Sequence, residues 1–390
     1  MLAQVVFLTS AALIVYVFFL YPLLVWVLQL LFRKKFRREE QFPSVAVLVA
    51  AYNEAAVIAD KIHNSLALDY PSHLLEIVIA SDGSTDRTAE IIRQVIQDVK
   101  LERVRLLDFP RNRGKVAVLN DAVPLLNADI VVFTDASSML SVDSVRQLVA
   151  NFADARVGAA SGVYRVMNDH QSGLGSQESF YWRYETFIKL QEARLGCMLG
   201  AHGSLFAVRR SLYRSLPAKS INDDFLIPLQ VVQQGYSVAY EPSAIAYEQA
   251  HEMEGYGRRA RIVAGNVEQL MEIKTLLSPL RPMALFCFLS HKGGRLFVPA
   301  AMVAAAVSSF VLWGHPVYRL AATSQILFYL LALLGAFLPL RPRLLRLPYY
   351  FCMINSALFA WIYRAISLGQ LIPSRREMDE LSRKEWKRSA

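Results

Sequence analysis

The first 32 residues carry no charged side chain. About 20 apolar residues in a helix are enough to cross the hydrocarbon core of a bilayer, so any fold for this chain must accommodate one end in a membrane. Arg33-Lys34-Lys35-Phe36-Arg37-Arg38 follows at once, with five basic residues in six. A secretory signal places its positive residues before the apolar stretch, so the reverse order predicts an anchor that is retained. Basic residues flanking a span favour the cytosolic side, which puts residue 33 onward in the cytosol. Pro22 falls inside the span, where a membrane helix tolerates it.

Three further apolar blocks close the sequence. Leu296–Trp313 and Leu320–Leu340 are uncharged and long enough to span, whereas Leu347–Tyr363 is shorter, contains Asn355 and meets Arg364. Arg341, Arg343 and Arg346 predict a cytosolic turn between the last two blocks. Three trailing spans would leave Ser374–Ala390 outside the cytosol, although that tail is rich in arginine and lysine. Two and three trailing spans therefore both stand. The expected organisation is an anchor at 1–32, a cytosolic domain at 42–275, an interfacial segment at 278–295, spans within 296–368 and a charged tail at 374–390. The formal charge is +9, and much of the basic excess flanks apolar blocks. Membrane lipid is accordingly the expected partner, and nucleic acid is not. Cys197, Cys287 and Cys352 are widely separated with no metal-binding spacing, which predicts reduced thiols.

Between the anchors, short apolar runs alternate with helical patterns, the signature of an α/β fold with a mostly parallel sheet. Ser44–Ala51 is the first expected strand and ends in Tyr52-Asn53-Glu54. Glu76–Ala80 is the second and ends in Ser81-Asp82-Gly83-Ser84-Thr85-Asp86, whose hydroxyl and acidic residues suit the cap of a helix over Arg87–Val99. Val104–Asp108 is the third and leads into Arg111-Asn112-Arg113-Gly114-Lys115. The fourth is the unbroken apolar run Ile130-Val131-Val132-Phe133, after which polarity switches abruptly to Asp135-Ala136-Ser137. Asp135 alone reads equally well as a helix cap or as a ligand to a metal and a phosphate. Four polar strand ends along one edge point to a nucleotide cleft. Neither G-x-G-x-x-G after the first strand nor G-x-x-x-x-G-K-[ST] anywhere is present. Side chains must therefore hold the nucleotide: Asp82 on a base or ribose edge with Glu54 nearby, Lys115 near phosphate and Asp135 on a metal.

The ordered set Tyr52-Asn53-Glu54, Ser81–Asp86, Gly114-Lys115 and Asp135-Ala136-Ser137 resembles the family 2 inverting glycosyltransferases, the group of cellulose and hyaluronan synthases. Further along, Asn222-Asp223-Asp224 resembles that family's acidic motif. Arg258-Arg259-Ala260-Arg261 falls where its Gln-x-x-Arg-Trp motif would lie. One leading and several trailing spans are also similar. The resemblance implies a glycosyltransferase A-type domain in a bacterial-type inner or plasma membrane, using a nucleotide-diphosphate sugar and a divalent metal, Mg²⁺ or Mn²⁺. It implies nucleotide-sugar contacts at Tyr52, Asn53, Glu54, Asp82, Lys115 and Asp135, a metal at Asp135 and Ser137, and an acceptor proton taken by Asp224. Arg258, Arg259 and Arg261 would face the leaving diphosphate or the acceptor entrance. The implied acceptor is a polysaccharide or a lipid-linked saccharide, with polymerisation or export proteins as further partners.

Two departures from the family pattern bear on function. Many members have Asp-x-Asp where this chain has Asp135-Ala136-Ser137, and a hydroxyl is a poorer ligand for Mg²⁺ or Mn²⁺ than a carboxylate. The metal would then bind weakly or arrive with the nucleotide. The Gln-x-x-Arg-Trp motif is absent as such, and with it the aromatic residue that supports processive addition.

The chemistry accounts for these residue types. An acceptor hydroxyl is a poor nucleophile, and a carboxylate in hydrogen-bond reach takes its proton as the new bond forms. Asp224 is the first candidate and Asp223 the second, against the alternative that either caps the helical run Phe225–Gln234. Fixed guanidinium groups suit the growing charge of a leaving diphosphate, although the Arg258–Arg261 cluster also fits lipid head groups. Gln177–Arg194 reads as a helix rich in aromatics, which form either an acceptor wall or ordinary core. Three rival functions remain: a polyprenyl-phosphate sugar synthase, a sugar nucleotidyltransferase lacking its expected Gly-rich loop, and a non-enzymatic membrane scaffold or transporter.

Overall fold

The computed structural model describes residues 1–99, 102–167, 175–218, 220–249, 263–270, 281–338 and 343–368. The chain divides into two compact units. One comprises Phe32–Met167 and Glu185–Glu252, with the tail Ser374–Ala390 outside the described residues; the other comprises Met1–Leu31, Asn168–Tyr184 and Met253–Pro373.

The first unit is built on one eight-stranded sheet. Its strands are β1 (Val45–Ala51), β2 (Leu75–Asp82), β3 (Val104–Phe109), β4 (Ile130–Asp135), β5 (Met139–Leu140), β6 (Val157–Met167), β7 (Phe206–Arg209) and β8 (Ser237–Gln249). Their spatial order is β3-β2-β1-β4-β7-β6-β8-β5. The four strands expected from the sequence are all present and pair in parallel. The near-continuous apolar character of β1, β2 and β4 follows from burial on both faces, whereas β3, at the sheet edge, is mostly half-buried. The other half adds the parallel pair β6 with β8 and the antiparallel pairs β4 with β7, β7 with β6 and β5 with β8, so the sheet as a whole is mixed.

Register sets the chemistry of the sheet edge. Ala50 of β1 pairs with Asp135 of β4 and with Ala80 of β2, and Ala51 pairs with Ser81. The carboxyl ends of three strands thus bring Tyr52, Asp82 and Asp135 to one edge. The connectivity reverses between β1 and β4, the kind of switch point where open α/β sheets bind ligands.

Helices pack their apolar stripes on this sheet. Ile58–Leu66 buries Ile58, Lys61, Ile62 and Ser65, so a lysine sits in its inward-facing stripe. Thr88–Val99 starts one residue after the expected boundary. Its N-terminus is capped by Asp86, which accepts from the Thr88 backbone N–H at 3.0 Å. The basic run after the anchor is tied into this unit. Lys34 N–H donates to the Arg194 carbonyl at 2.7 Å, and Arg37 N–H donates to Asp154 at 2.9 Å. Arg38 pairs with the buried Glu241 at 2.8 Å. Hydrogen bonds from Arg156 hold the Asp154 carboxyl well below the usual carboxylate range.

The second unit is helical. Three of its helices are long and apolar enough to cross a membrane: Leu2–Phe32, Pro282–Val311 and Pro316–Phe337. The first carries a π-turn at Tyr16–Leu20 and the second a π-turn at Leu289–Gly293. The backbone does not break at 295/296, where the sequence suggests that an interfacial segment gives way to a span. Residues 282–311 form one run, and its polar π-turn residues bond within the unit: Ser290 Oγ lies 2.7 Å from Tyr16 Oη, and Lys292 donates to Gln269 at 3.2 Å. Leu347–Leu368 is a fourth long helix, in which Asn355 donates to the Phe351 carbonyl one turn back at 2.8 Å.

Candidate active site

Asp135 ends β4, and the chain turns at once, with Ser138 N–H donating to the Asp135 carbonyl at 3.2 Å. The next helix starts only at Ser144, with Asp143 as its N-cap, so Asp135 is not the cap of the helix that follows β4. Its carboxylate instead meets Lys115, the first residue of the helix Lys115–Ala122, with Nζ 2.8 Å from Oδ1. The same ammonium lies 3.0 Å from Asp223 Oδ2. Burial alone would lower the Lys115 pKa, but the carboxylates of Asp135 and Asp223 outweigh it and hold the group above its ordinary value. Lys115 is therefore a permanent cation bridging two acids.

Asp223 and Asp224 occupy the first turn of the helix Asp223–Gln233, whose N-cap is Asn222. The Asn222 side chain makes no cap bond to the helix N-terminus. The segment 200–204 is fastened to that helix, since Ala201 N–H donates to the Asp224 carbonyl at 2.7 Å. Gly203 stands between the acids: a Cβ added there would sit 3.6 Å from Asp224 Oδ2 and 3.7 Å from Asp135 Oδ2. Asp135, Asp223, Asp224 and Lys115 form one cluster, with the space over Gly203 free of any side chain of its own.

Asp82 serves this cluster from one side. It is buried at the end of β2, and its two oxygens accept from the backbone N–H groups of Arg113 at 2.8 Å and Gly114 at 2.7 Å. That clamp fixes the loop delivering Lys115. Gly83 lets the loop approach. It adopts φ +62°, and a Cβ there would meet the Arg111 carbonyl carbon at 2.4 Å. Asn53, with φ +56°, uses its side-chain oxygen to accept from the Thr85 N–H at 2.8 Å. Glu54 N–H donates to Thr88 Oγ1 at 2.8 Å. Tyr52-Asn53-Glu54 and Ser81–Asp86 are thus knitted into one rim, from which Tyr52 projects exposed.

Ser137 donates to Glu248 Oε1 at 2.8 Å. Sequence reasoning missed Glu248. It lies near the end of β8, and the pairing of β5 with β8 (Met139 with Tyr247) carries it to Ser137; no local pattern announces this. Tyr213 was missed too. Its hydroxyl donates to Asn120 Oδ1 at 2.9 Å and steadies the Lys115 helix, and its pKa is pushed up by burial and then by Asp223. Lys61 is a third omission, signalled only by its place in the apolar stripe of its helix. Burial pushes its ammonium down to about 7 against the upward pull of Asp135 and Glu248. Arg258, Arg259 and Arg261 lie outside the described residues.

Among the described residues no group of three or more His, Cys, Asp or Glu side chains forms a ready metal cage. Asp135 and Ser137 nevertheless suit a hard cation that keeps waters and takes further oxygens from a diphosphate, as Mg²⁺ commonly does.

Residues 43–261 match the family model described as glycosyltransferase like family 2. The poly-beta-1,6-N-acetyl-D-glucosamine synthase of Staphylococcus aureus (strain COL) is 27% identical over 258 residues, covering 64% of this chain and 61% of the relative. The probable glycosyltransferase YdaM of Bacillus subtilis (strain 168) is 28% identical over 223 residues, covering 55% and 52%. This chain thus matches about half to three fifths of the length of these relatives. A solved mannosyltransferase from Pyrobaculum calidifontis, in complex with GDP-Man and Mn²⁺, shares the fold with a TM-score of 0.71 at 23% identity, covering 93% of this chain and 99% of that one.

Proposed function

The chain belongs to glycosyltransferase-like family 2, and from that premise we propose that it is a membrane-bound, inverting enzyme of exopolysaccharide or cell-envelope glycan synthesis. It moves a sugar from a nucleotide-diphosphate donor to a saccharide or lipid-linked saccharide at the cytosolic face. The single observation that carries this reading is the cluster over Gly203, where a lysine bridges Asp135 and Asp223 and Asp224 stands beside them.

Asp224 takes the acceptor hydroxyl's proton as that oxygen attacks the anomeric carbon, and the bond to the donor diphosphate breaks on the opposite face of the sugar. Asp224 suits this role because its carboxylate faces the space over Gly203, across from Asp135. Lys115 has a second use: its fixed charge stabilises the diphosphate as negative charge grows on it, more than in the ground state. Asp135 and Ser137 would hold the divalent cation, which when bound neutralises part of that charge. Asp82 keeps the Lys115 loop in place through Arg113 and Gly114, and the Tyr52–Glu54 rim would line the nucleoside. The match to a polysaccharide synthase supports a saccharide acceptor. The apolar helices together with the basic run at 33–38 support a membrane location with this domain inside.

The test uses membranes containing the full chain, incubated with a panel of nucleotide sugars, with nucleoside diphosphate release read with and without Mn²⁺ or Mg²⁺. One donor should turn over with metal stimulation. Asp224→Asn should lower turnover by ~10²–10⁴-fold while donor binding persists. Normal turnover by Asp224→Asn would overturn the base assignment, and no release from any donor would overturn the function. A product of one sugar on a lipid phosphate, rather than a lengthening saccharide, would select the synthase of lipid-linked monosaccharides instead.

A further inference from the structure

We propose that Lys61 is a positioning residue for the donor end of this site, a buried amino group that ties together the backbone segments presenting Asp135 and Gly203. The proposal deepens the functional reading above and rests on Asp135 being the carboxylate that faces the diphosphate.

Lys61 is completely buried, on the face of its helix that carries Ile58 and Ile62. An ammonium in such a place is costly unless acceptors surround it. Its hydrogen bonds go to Thr134 Oγ1, at 2.8 Å, and to the Ser138 carbonyl. Those residues bracket Asp135-Ala136-Ser137, and the Ser138 N–H closes the turn on the Asp135 carbonyl. Lys61 therefore grips both ends of the turn that carries the two candidate ligands. Thr134 extends the grip, since its own hydroxyl donates to the Ser204 carbonyl at 2.8 Å. Ser204 follows Gly203, the residue across which Asp135 and Asp224 face each other. A three-part relay from Lys61 through Thr134 to Ser204 thus sets the spacing between the diphosphate side and the base side.

Charge points the same way. Asp135 and Glu248, the acid holding Ser137, are the carboxylates that act on Lys61. In its protonated form Lys61 also offsets their mutual repulsion. A methionine of similar length would fill the space without the cost of burying charge, and such replacements in other proteins are often neutral or stabilising. Packing alone gives no reason for a lysine here, whereas aligning the turn does.

The test compares Lys61→Met, Thr134→Val and the double variant with wild type, each as full chain in detergent. Three quantities are read: kcat/KM for nucleoside diphosphate release, binding of Mn²⁺ alone from its electron paramagnetic resonance signal, and the melting temperature. Loss of a residue that orients ligands typically costs about 10- to 100-fold in affinity or activity, and Lys61→Met should show that loss in both kcat/KM and Mn²⁺ affinity with its melting temperature held or raised. Thr134→Val should fall in the same direction by less, and the double variant should be no worse than Lys61→Met, because both act through one relay. The proposal is overturned if Lys61→Met keeps wild-type kcat/KM and Mn²⁺ binding, or if the two losses multiply. Should Lys61→Met fail to fold, a fully active Thr134→Val overturns the relay. Should wild type release no nucleoside diphosphate, the functional reading falls first and this proposal with it.

Discussion

One set of polar side chains in each unit is used in the opposite way to the other. Around the sheet edge they are tied to distant parts of the chain: Asp82 to Arg113 and Gly114, Lys115 to Asp135 and Asp223, Ser137 to Glu248 and Lys61 to Thr134. In the apolar helices Thr9, Ser308, Thr323 and Asn355 each bond a carbonyl three or four residues back in their own helix. A local bond satisfies a polar group without specifying where its helix goes, whereas a long-range bond fixes a geometry. Substitutions should therefore be severe in the first set and mild in the second.

Lys115→Met breaks the comparison hardest if it is harmless. It removes the cation from the buried Asp223, and stripping one partner from a largely buried pair costs on the order of 3 kcal/mol. Thermal denaturation of the detergent-solubilised chain should show that loss, and adding Asp223→Asn should recover much of the stability without restoring turnover. Next in size is Gly83→Ala. The left-handed backbone together with a Cβ 2.4 Å from the Arg111 carbonyl carbon should cost about 2 kcal/mol. Donor affinity should drop as well, since the displaced loop is the one that delivers Lys115. A Gly83→Ala protein with wild-type melting and affinity would show that this loop yields freely.

Much of this site can be read from the sequence because short apolar strands must end somewhere and the residues at their ends share one edge. Asp135 reaches that edge for this reason, whereas Lys115, Asp223 and Asp224 sit at helix starts and are legible from their motifs. What the sequence does not carry is the pairing of its second half. Glu248 reaches Ser137 through the short strand Met139–Leu140, a contact no periodicity implies. Asp82 looks like an exposed ligand from its motif, but the loop at 111–114 closes over it and supplies two N–H donors. Lys61 is disguised by composition, since a charged residue among apolar ones reads as the solvated face of its helix until the fold buries it.

Lys61 also gives the comparison a measurable pH signature, about 1.4 kcal/mol per pH unit and so comparable in size to the two substitutions above. Burial lowers its pKa from 10.5 to about 7. Between those values the unfolded chain holds a proton that the folded chain lacks, so folding stability should rise with pH across that window. Below the folded value both states are protonated, and the unfavourable contribution is at its full, constant size. Lys61→Met should flatten the slope, which melting curves at about pH 7.5 and about pH 9.5 would reveal. An unchanged slope would mean that another group titrates there.

The smallest expected effect lies in the helix Pro316–Phe337. Thr323 is exposed, and its hydroxyl donates to the Arg319 carbonyl at 3.0 Å and the Leu320 carbonyl at 2.9 Å. Those carbonyls already take part in the helical ladder, so Thr323→Val removes a redundant bond and leaves a side chain of nearly the same shape. If this face meets only lipid, the change should stay within about 0.5 kcal/mol and leave kcat/KM untouched. Val is also no worse in a hydrocarbon environment than Thr, so even the sign should be near zero. A loss of activity at constant melting temperature would mean that the hydroxyl meets something more specific than acyl chains, such as a growing saccharide or a second helix. The division between distant ties at the sheet edge and local ties in the apolar helices would then fail at Thr323, and the membrane unit would have to be counted as part of the catalytic machinery.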